Sequence, residues 1–256
     1  MNPILEKELR GVLRERRGWL APVIYAAVLA AAVYLLFPSA PHGVPSALGR
    51  AIASEVAALQ LIAILVLGPL AGAAAIAGER ERGTWARLLA SPVPRLQIAI
   101  GKLLAALLYV LLNLCASLPV AAVSLLYGGT DLRTLGGLYL SHVVLASVLV
   151  SIGLAVSTAF SRTWAATLSA LAITLGAGML TFALWMSVRG SCGWSSELSL
   201  VELPLLLNPA YSLVLFMEGD RLTDGLLRWW MHYVCLGAVG TGAFAFASQR
   251  LARMRD

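Results

Sequence analysis

Charge is scarce in this chain. Only 12% of its 256 residues are Asp, Glu, Lys or Arg, where soluble domains average roughly 25%. Hydrophobic residues make up 59% and the mean hydropathy is +0.83. That shortage excludes an ordinary soluble enzyme and points to a polytopic membrane protein. Cysteine is scarce as well. Cys115 and Cys235 fall inside apolar runs, where cysteine behaves as a small apolar residue. Cys192 has no second outer cysteine to pair with, so no intrachain disulfide is expected. Catalytic motifs are missing: the chain has no HExxH, no paired CxxC and no GxSxG. The Gly101–Lys102 pair lacks the rest of a phosphate-binding loop, since Leu96 stands where a glycine is needed and Leu103 where a Ser or Thr is needed. No nucleotide site, enzyme activity or metal site is therefore expected in this chain. His42, His142 and His232 stand singly, the first in an outer loop and the others near outer span ends, and read as interfacial or packed residues. No Asp, Glu, Lys or Arg lies in the middle of an apolar run, which argues against a proton- or ion-coupled secondary transporter.

What is present is length of apolar sequence. A hydrocarbon core of about 30 Å needs about 20 apolar residues per helix. Six stretches meet that need: Trp19–Phe37, Val56–Ala77, Ile98–Tyr127, Leu138–Phe160, Trp164–Val188 and Leu227–Ala247. The first is longer than the roughly 7–15 residues of a signal h-region and reads as a retained span. The expected fold is an all-α membrane protein with six transmembrane helices forming one domain. With the N-terminus in the cytoplasm, inside segments hold 14 Lys and Arg and outside segments hold five, Arg50, Arg133, Arg189, Arg221 and Arg228. This asymmetry places both termini inside, in a cytoplasmic (inner) membrane. The net charge of +6 is then a topology signal rather than a nucleic-acid signal, because the basic residues are scattered over four cytoplasmic segments.

Residues 1–18 are not a span. Ile4, Leu5, Leu9, Val12 and Leu13 recur at helical spacing with charges on the other face, and Asn2–Pro3 suits a helix start. An amphipathic helix on the inner membrane surface is expected, its basic face toward anionic headgroups. Residues 38–50 read as a Pro/Gly/Ser-rich outer loop. Gly68 and Gly72 offer a small-residue helix contact and Pro69 a kink. The third stretch is expected to be interrupted near Pro119, and the fourth and fifth spans to form a tight hairpin. Trp19, Trp164, Trp229, Trp230 and Tyr233 near span ends read as interface anchors. Residues 189–226, with five acids and the apolar LVELPLLLNPAYSLVLFM broken by Pro204 and Pro209, read as short re-entrant or interfacial helices on the outer side. Polar groups within spans are few: Gln60, Asn113, Ser117, Ser147 and Ser151 are candidates for a pathway or for helix contacts.

Between the second and third spans lies the most charged stretch, GERERGTWARLLASPVPRLQIAIGK at 78–102. Gly83 breaks the helix leaving the second span, and Thr84 is a good N-cap. Residues 85–90 form about two turns until Ser91 and Pro92 stop them. Trp85, Leu88 and Leu89 make one apolar face with a charged surround, the pattern of a protein-binding patch or of an interfacial helix lying on lipid.

This stretch closely resembles the loop between the second and third spans of ABC type-2 transport permeases. The resemblance rests on Glu79, Arg80, Glu81, Arg82, Gly83, Thr84, Leu88, Leu89, Ser91, Pro92, Arg95, Gly101 and Lys102, with Trp85 standing where a leucine is usual. The amphipathic N-terminal helix and the Asn-Pro element of LLNPAYSLV are similar to the family's as well. The resemblance implies the permease subunit of an ATP-binding cassette exporter, working as a dimer with a second identical or paralogous permease and with two separate ATPase subunits that bind ATP and Mg. It implies that residues 78–97 form the coupling segment. Trp85–Ala90 would be the coupling helix, Trp85, Leu88 and Leu89 would face the ATPase, and Glu79, Arg80, Glu81, Arg82 and Arg87 would be salt-bridge candidates. Family members serving mechanical or maturation complexes, such as lipoprotein handling, gliding or copper-enzyme maturation, look alike at this level, and the segment at 189–226 would dock a periplasmic or extracellular partner in such a complex.

Overall fold

The computed structural model describes residues 3–14, 16–36, 45–192, 206–211, 213 and 222–253. Among them the chain is helical: α1 (Pro3–Arg14), α2 (Arg16–Leu36), α3 (Pro45–Glu81), α4 (Trp85–Leu89), α5 (Arg95–Tyr127), α6 (Leu132–Ser157), α7 (Thr163–Cys192) and α8 (Leu222–Arg253). Five carry stretches long and apolar enough to cross a membrane: α3, α5, α6, Thr163–Ser187 of α7 and Trp230–Arg253 of α8. In α2 the apolar stretch is the shorter Leu20–Leu35. The protein is thus an all-α, multi-pass membrane protein, with five such helices rather than six among the described residues.

Helix α3 runs for 37 residues, about 55 Å at 1.5 Å per residue. It outruns a bilayer core of about 30 Å, and its last turn, Gly78–Glu81, projects beyond the apolar stretch. It begins at Pro45, so the second half of the expected 38–50 loop is helix, while residues 37–44 lie outside the described residues. Gly49 is the reason the helix starts early. A Cβ there would lie 1.8 Å from the Gly128 carbonyl oxygen, so α3 abuts the α5–α6 turn backbone to backbone. That turn uses Gly128 and Gly129 at φ of 76° and 85°, and Asp131 accepts from the Thr134 N–H at 3.1 Å to cap α6.

Helix α5 continues unbroken through Pro119 from Arg95 to Tyr127, correcting the expected interruption. A proline removes one helical hydrogen bond, but unwinding within hydrocarbon would expose several backbone groups with no water to satisfy them. The helix is the lower-energy choice.

Helix α3 is the centre of the bundle, packed on α5, α6 and α7. Its seam with α6 is made by glycine. A Cβ on Gly72 would fall 2.2 Å from the Val150 oxygen, and one on Gly153 would fall 2.5 Å from the Pro69 oxygen. Because Gly68 meets Leu149 and Gly72 meets Val150 and Leu154, the two helices run in the same direction. Apolar side chains fill the space between the helices on the N-terminal side of this seam. One cluster joins Leu61, Ile64, Leu114, Leu145, Leu149 and Leu236, and another joins Val33, Ile52, Val56, Ala121 and Leu138. Helix α7 touches α3 through alanines, Ala73 and Ala77 against Ala166 and Ala170. Much of its remaining surface is apolar and exposed, including Trp164, Met179 and Phe182, as suits a lipid-facing helix.

Of the expected outer segment at 189–226, α7 already covers the residues up to Cys192 and α8 begins at Leu222. The described part is a turn around Asn208. Its Nδ2 donates to the Gly178 carbonyl and to Thr181 Oγ1, both at 3.0 Å, and its Oδ1 accepts from the Ala210 N–H at 2.8 Å. The buried His232 Nδ1 lies 2.7 Å from the Leu206 carbonyl, which can only accept, so Nδ1 carries the proton. The turn therefore docks on α7 and α8 at the level of Gly178, inside the apolar stretch of α7.

The glycine seam yields a direct test. Gly153→Val should destabilise the fold by about 2–3 kcal/mol through overpacking, read as a lowered melting midpoint in detergent. Gly136→Ala, where the added methyl meets nothing within 4 Å, should be neutral or stabilising by up to about 1 kcal/mol.

Candidate functional site

The charged stretch begins where α3 ends. Thr84 N–H donates to the Glu79 carbonyl at 2.9 Å and Gly83 N–H to the Arg80 carbonyl at 3.0 Å. With Gly83 at φ 67°, this is a Schellman cap, and glycine is the residue that reaches that conformation without a Cβ penalty. One turn of helix follows, α4, ended by Ser91, whose hydroxyl donates to the Leu88 carbonyl at 2.6 Å.

Thr84 does not cap α4 with its side chain. Its hydroxyl turns back instead and donates to the Glu79 carbonyl at 3.1 Å and to the Glu79 carboxylate. An ionised carboxylate is the stronger acceptor, and charge-assisted hydrogen bonds are roughly twice as strong as neutral ones.

Glu79 and Lys102 are both buried, with side-chain exposures of 7% and 4%. Lys102 Nζ lies 2.7 Å from Glu79 Oε1 and 2.6 Å from Glu8 Oε1. One ammonium thus joins three helices: α1 through Glu8, α3 through Glu79 and α5 through Lys102. Burial pushes the Glu79 carboxyl upward, but the hydrogen bonds from Lys102 and Thr84 and the nearby charges of Lys102 and Lys7 outweigh it and hold the group at about 2. The carboxylate therefore stays ionised throughout the physiological range.

Its neighbours engage helix ends. Arg80 Nη1 donates to the Thr158 carbonyl at 3.1 Å and to the Phe160 carbonyl at 3.3 Å, where α6 finishes. The same guanidinium lies 5.6 Å from the centre of the Trp85 ring, within cation–π range. Glu81 Oε2 accepts from the Thr163 N–H at 3.0 Å, at the start of α7, and hydrogen bonding from the Thr163 side chain and then from this N–H lowers the Glu81 carboxyl pKa. Arg95 Nη1 donates to the Leu251 and Ala252 carbonyls at 3.3 and 2.8 Å, where α8 finishes. Each charge matches the sign that the helix terminus demands: cations on C-terminal carbonyls, an anion on an N-terminal N–H.

Trp85, Leu88 and Leu89 are the side chains expected to face a partner. All three are half-buried, and Trp85 packs into the bundle with Ile76, Ala99, Leu154, Ala247 and Leu251. The outward face of α4 carries Ala86, Arg87 and Ala90, and Arg82 and Gly83 are exposed beside it. Arg82 makes a long 3.8 Å contact to Glu79 and is 69% exposed. Of the five charges expected to meet a partner, Glu79, Arg80 and Glu81 thus make contacts within the chain, while Arg82 and Arg87 point outward.

The polar residues of the spans lie within one bundle. Gln60 Nε2 donates to Ser117 Oγ at 2.6 Å and to Tyr139 Oη at 2.7 Å, so α3, α5 and α6 meet in a hydrogen-bonded triangle. Asn113 Nδ2 bonds the Tyr109 carbonyl at 2.8 Å, Ser147 the Val144 carbonyl and Ser151 the Ser147 carbonyl, all on their own helices. Gln60 and Ser117 are helix-contact residues, Ser147 and Ser151 bond back to their own helix, and Asn113 does so through Nδ2 while its buried Oδ1 has no partner among the described residues. Among the described residues no cluster of His, Cys, Asp and Glu has the grouping of a metal site. Sequence reasoning missed Glu8, read as part of a headgroup-facing surface, and Tyr139. The unpaired Lys102 next to Gly101 was the available signal that a buried acid must be close.

A model of the family described as ABC-2 family transporter protein matches residues 2–193. The chain belongs to the ABC-2 transporter family. It is a multi-pass membrane permease of an ABC transporter, and membership implies an ABC ATPase partner and dimerisation in general terms. No curated protein matches the permease. The matched range contains α1 through α7 and every residue of the charged stretch, and it stops before the Asn208 turn and α8.

Removing the shared cation tests the Glu8–Lys102–Glu79 bridge. Lys102→Met leaves the buried Glu79 carboxylate without its cation and should cost about 3–5 kcal/mol, seen as a lower melting midpoint. Adding Glu79→Gln to Lys102→Met should recover part of that loss. Arg82→Ala, at an exposed site, should stay within about 0.5 kcal/mol of wild type.

Proposed function

We propose that the permease is the transmembrane subunit of an ATP-driven exporter. Two copies, or one copy and a paralogue, enclose the path, and two separate ATPase subunits bind at the end of the bundle that carries α4. In this reading that end is cytoplasmic, both termini lie in the cytoplasm, and the membrane is the cytoplasmic one, as the excess of Lys and Arg over that side supports. ATP and Mg belong to the partner, and this chain performs no hydrolysis.

The observation that carries the reading is how α4 is held. Its apolar side chain Trp85 is packed between α3, α5, α6 and α8, and the residues flanking it engage the ends of α6, α7 and α8. A push on the outward face of α4 would reach every one of those helices through direct contacts. Ala86, Arg87 and Ala90 are the residues placed to receive it, with Arg82 beside them. Residues 78–97 then act as the coupling segment, and Glu79, Arg80, Glu81, Gly83 and Thr84 fix its shape while Leu88 and Leu89 border its inner face.

Two measurements test this. Affinity-purified permease in mild detergent is expected to bring down an ATP-binding subunit with a Walker A motif, and its consistent absence would remove the exporter reading. Arg87→Glu should insert and melt like wild type, yet weaken association with the ATPase about tenfold or uncouple ATP hydrolysis from transport. Wild-type association and transport by that variant would remove α4 as the coupling helix. Trp85→Glu is the poorer probe, because it puts a charge into the bundle itself.

A further inference from the structure

At the charged end of α8, Phe246, Gln249, Arg250 and Arg253 line a cleft of about 450 Å3. Their spacing of three, four and seven residues puts them on one helical face. Seven residues before Phe246 the same face carries Val239, and both side chains are exposed, at 53% and 41%. The face therefore passes from apolar to cationic over about four turns, inside a stretch able to cross a membrane. The Arg250 guanidinium lies 5.9 Å from the Phe246 ring centre, so the ring forms the floor beneath the charge.

Neither Arg250 nor Arg253 has a carboxylate within ion-pair distance among the described residues. Three acids of this end are engaged elsewhere, Glu8 and Glu79 by Lys102 and Glu81 by the Thr163 N–H. Arg80 adds a further cation close by. Burial and then the Arg250 charge both depress its guanidinium.

We propose that this cleft binds the headgroup of an anionic phospholipid. The two arginines take the phosphate oxygens, for which the guanidinium fork is well shaped. Gln249 offers an amide to the headgroup, and the acyl chain runs along Phe246 and Val239. A basic pocket at the cytoplasmic edge of membrane helices is a recognised place for such headgroups. The continuous apolar face below the arginines favours a lipid over a soluble anion or a protein carboxylate, neither of which needs it. Opposite the cleft, Ala247 and Leu251 of α8 pack in the same cluster as Trp85, so a lipid held here would brace the helix against which α4 rests.

The test uses the full-length permease in mild detergent, exchanged into mixed micelles containing phosphatidylglycerol and phosphatidylcholine at equal amounts. Native mass spectrometry counts retained lipids, and thermal melting is followed across a phosphatidylglycerol titration. Wild type should retain phosphatidylglycerol preferentially and melt at higher temperature as it is added. Arg250→Gln with Arg253→Gln should lose the preference by roughly 25-fold, since each basic side chain near an anionic surface contributes roughly fivefold, while melting unchanged in phosphatidylcholine alone. Arg162→Gln, an exposed arginine outside the cleft, should change nothing. If the double variant is too unstable to purify, Phe246→Ala provides the second reading, with weaker retention of both lipids expected. Equal retention of phosphatidylglycerol by wild type and double variant, or its displacement by millimolar inorganic phosphate, overturns the proposal. So does a double variant that keeps its lipid but loses an ATP-binding subunit, because the cleft would then be a protein dock.

Discussion

A single ammonium holds the charged end of this permease together. Lys102 on α5 meets Glu79 on α3 and Glu8 on α1, and the pair it forms with Glu79 is buried. Burying charge is costly unless each group is paired and hydrogen-bonded, and here the pairing is complete enough to keep Glu79 ionised. The bridge fixes the register of α3 against α5, and that register decides where the Schellman cap at Gly83 places α4. The amphipathic α1 is drawn against α5 by the same contact, so its position is set by the bundle as well as by any lipid surface.

Around that bridge, the charges of one short stretch answer unsatisfied helix termini. Arg80, Glu81 and Arg95 reach the ends of α6, α7 and α8 in turn. Helix ends leave backbone groups without partners, and near a bilayer such groups are expensive. Supplying them from one loop ties five helices to one turn of peptide. This explains why a chain so poor in charge concentrates it here: the charges are structural before they are available to any partner.

Much of this was legible in the sequence. The apolar runs mark the membrane helices, Gly83 marks the break after α3, Ser91 and Pro92 mark the end of α4, and Gly68 and Gly72 announce a close contact. What could not be read was the other half of each contact. Gly153 as the mate of Gly72, or Glu79 and Glu8 as mates of Lys102, follow from how helices align, and helical periodicity holds no information on that. A five-residue helix with Trp85, Leu88 and Leu89 on one side has the same pattern whether that side meets a partner, lipid or its own bundle, and the packing of Trp85 on its own bundle is visible only in the structure. Helix α3 is longer than its apolar run because polar and small residues such as Ser46 and Gly49 continue the helix where it is packed on the α5–α6 turn. Pro119 carries the local signal of a break, but the larger cost of unwound backbone in hydrocarbon keeps α5 helical through it.

The glycine seam between α3 and α6 has a mechanical meaning. Where Gly72 and Gly153 meet, backbone touches backbone, and no layer of rotatable side chains separates the two helices. Interdigitated side chains can slip by changing rotamer, but apposed peptide groups have no such freedom. Helices α3 and α6 thus behave as one beam, running from the Arg80 and Glu81 contacts to the far end of the bundle. Relative motion must be taken up at other joints, and α2, which α3 meets far more sparsely than it meets α6, offers one of them.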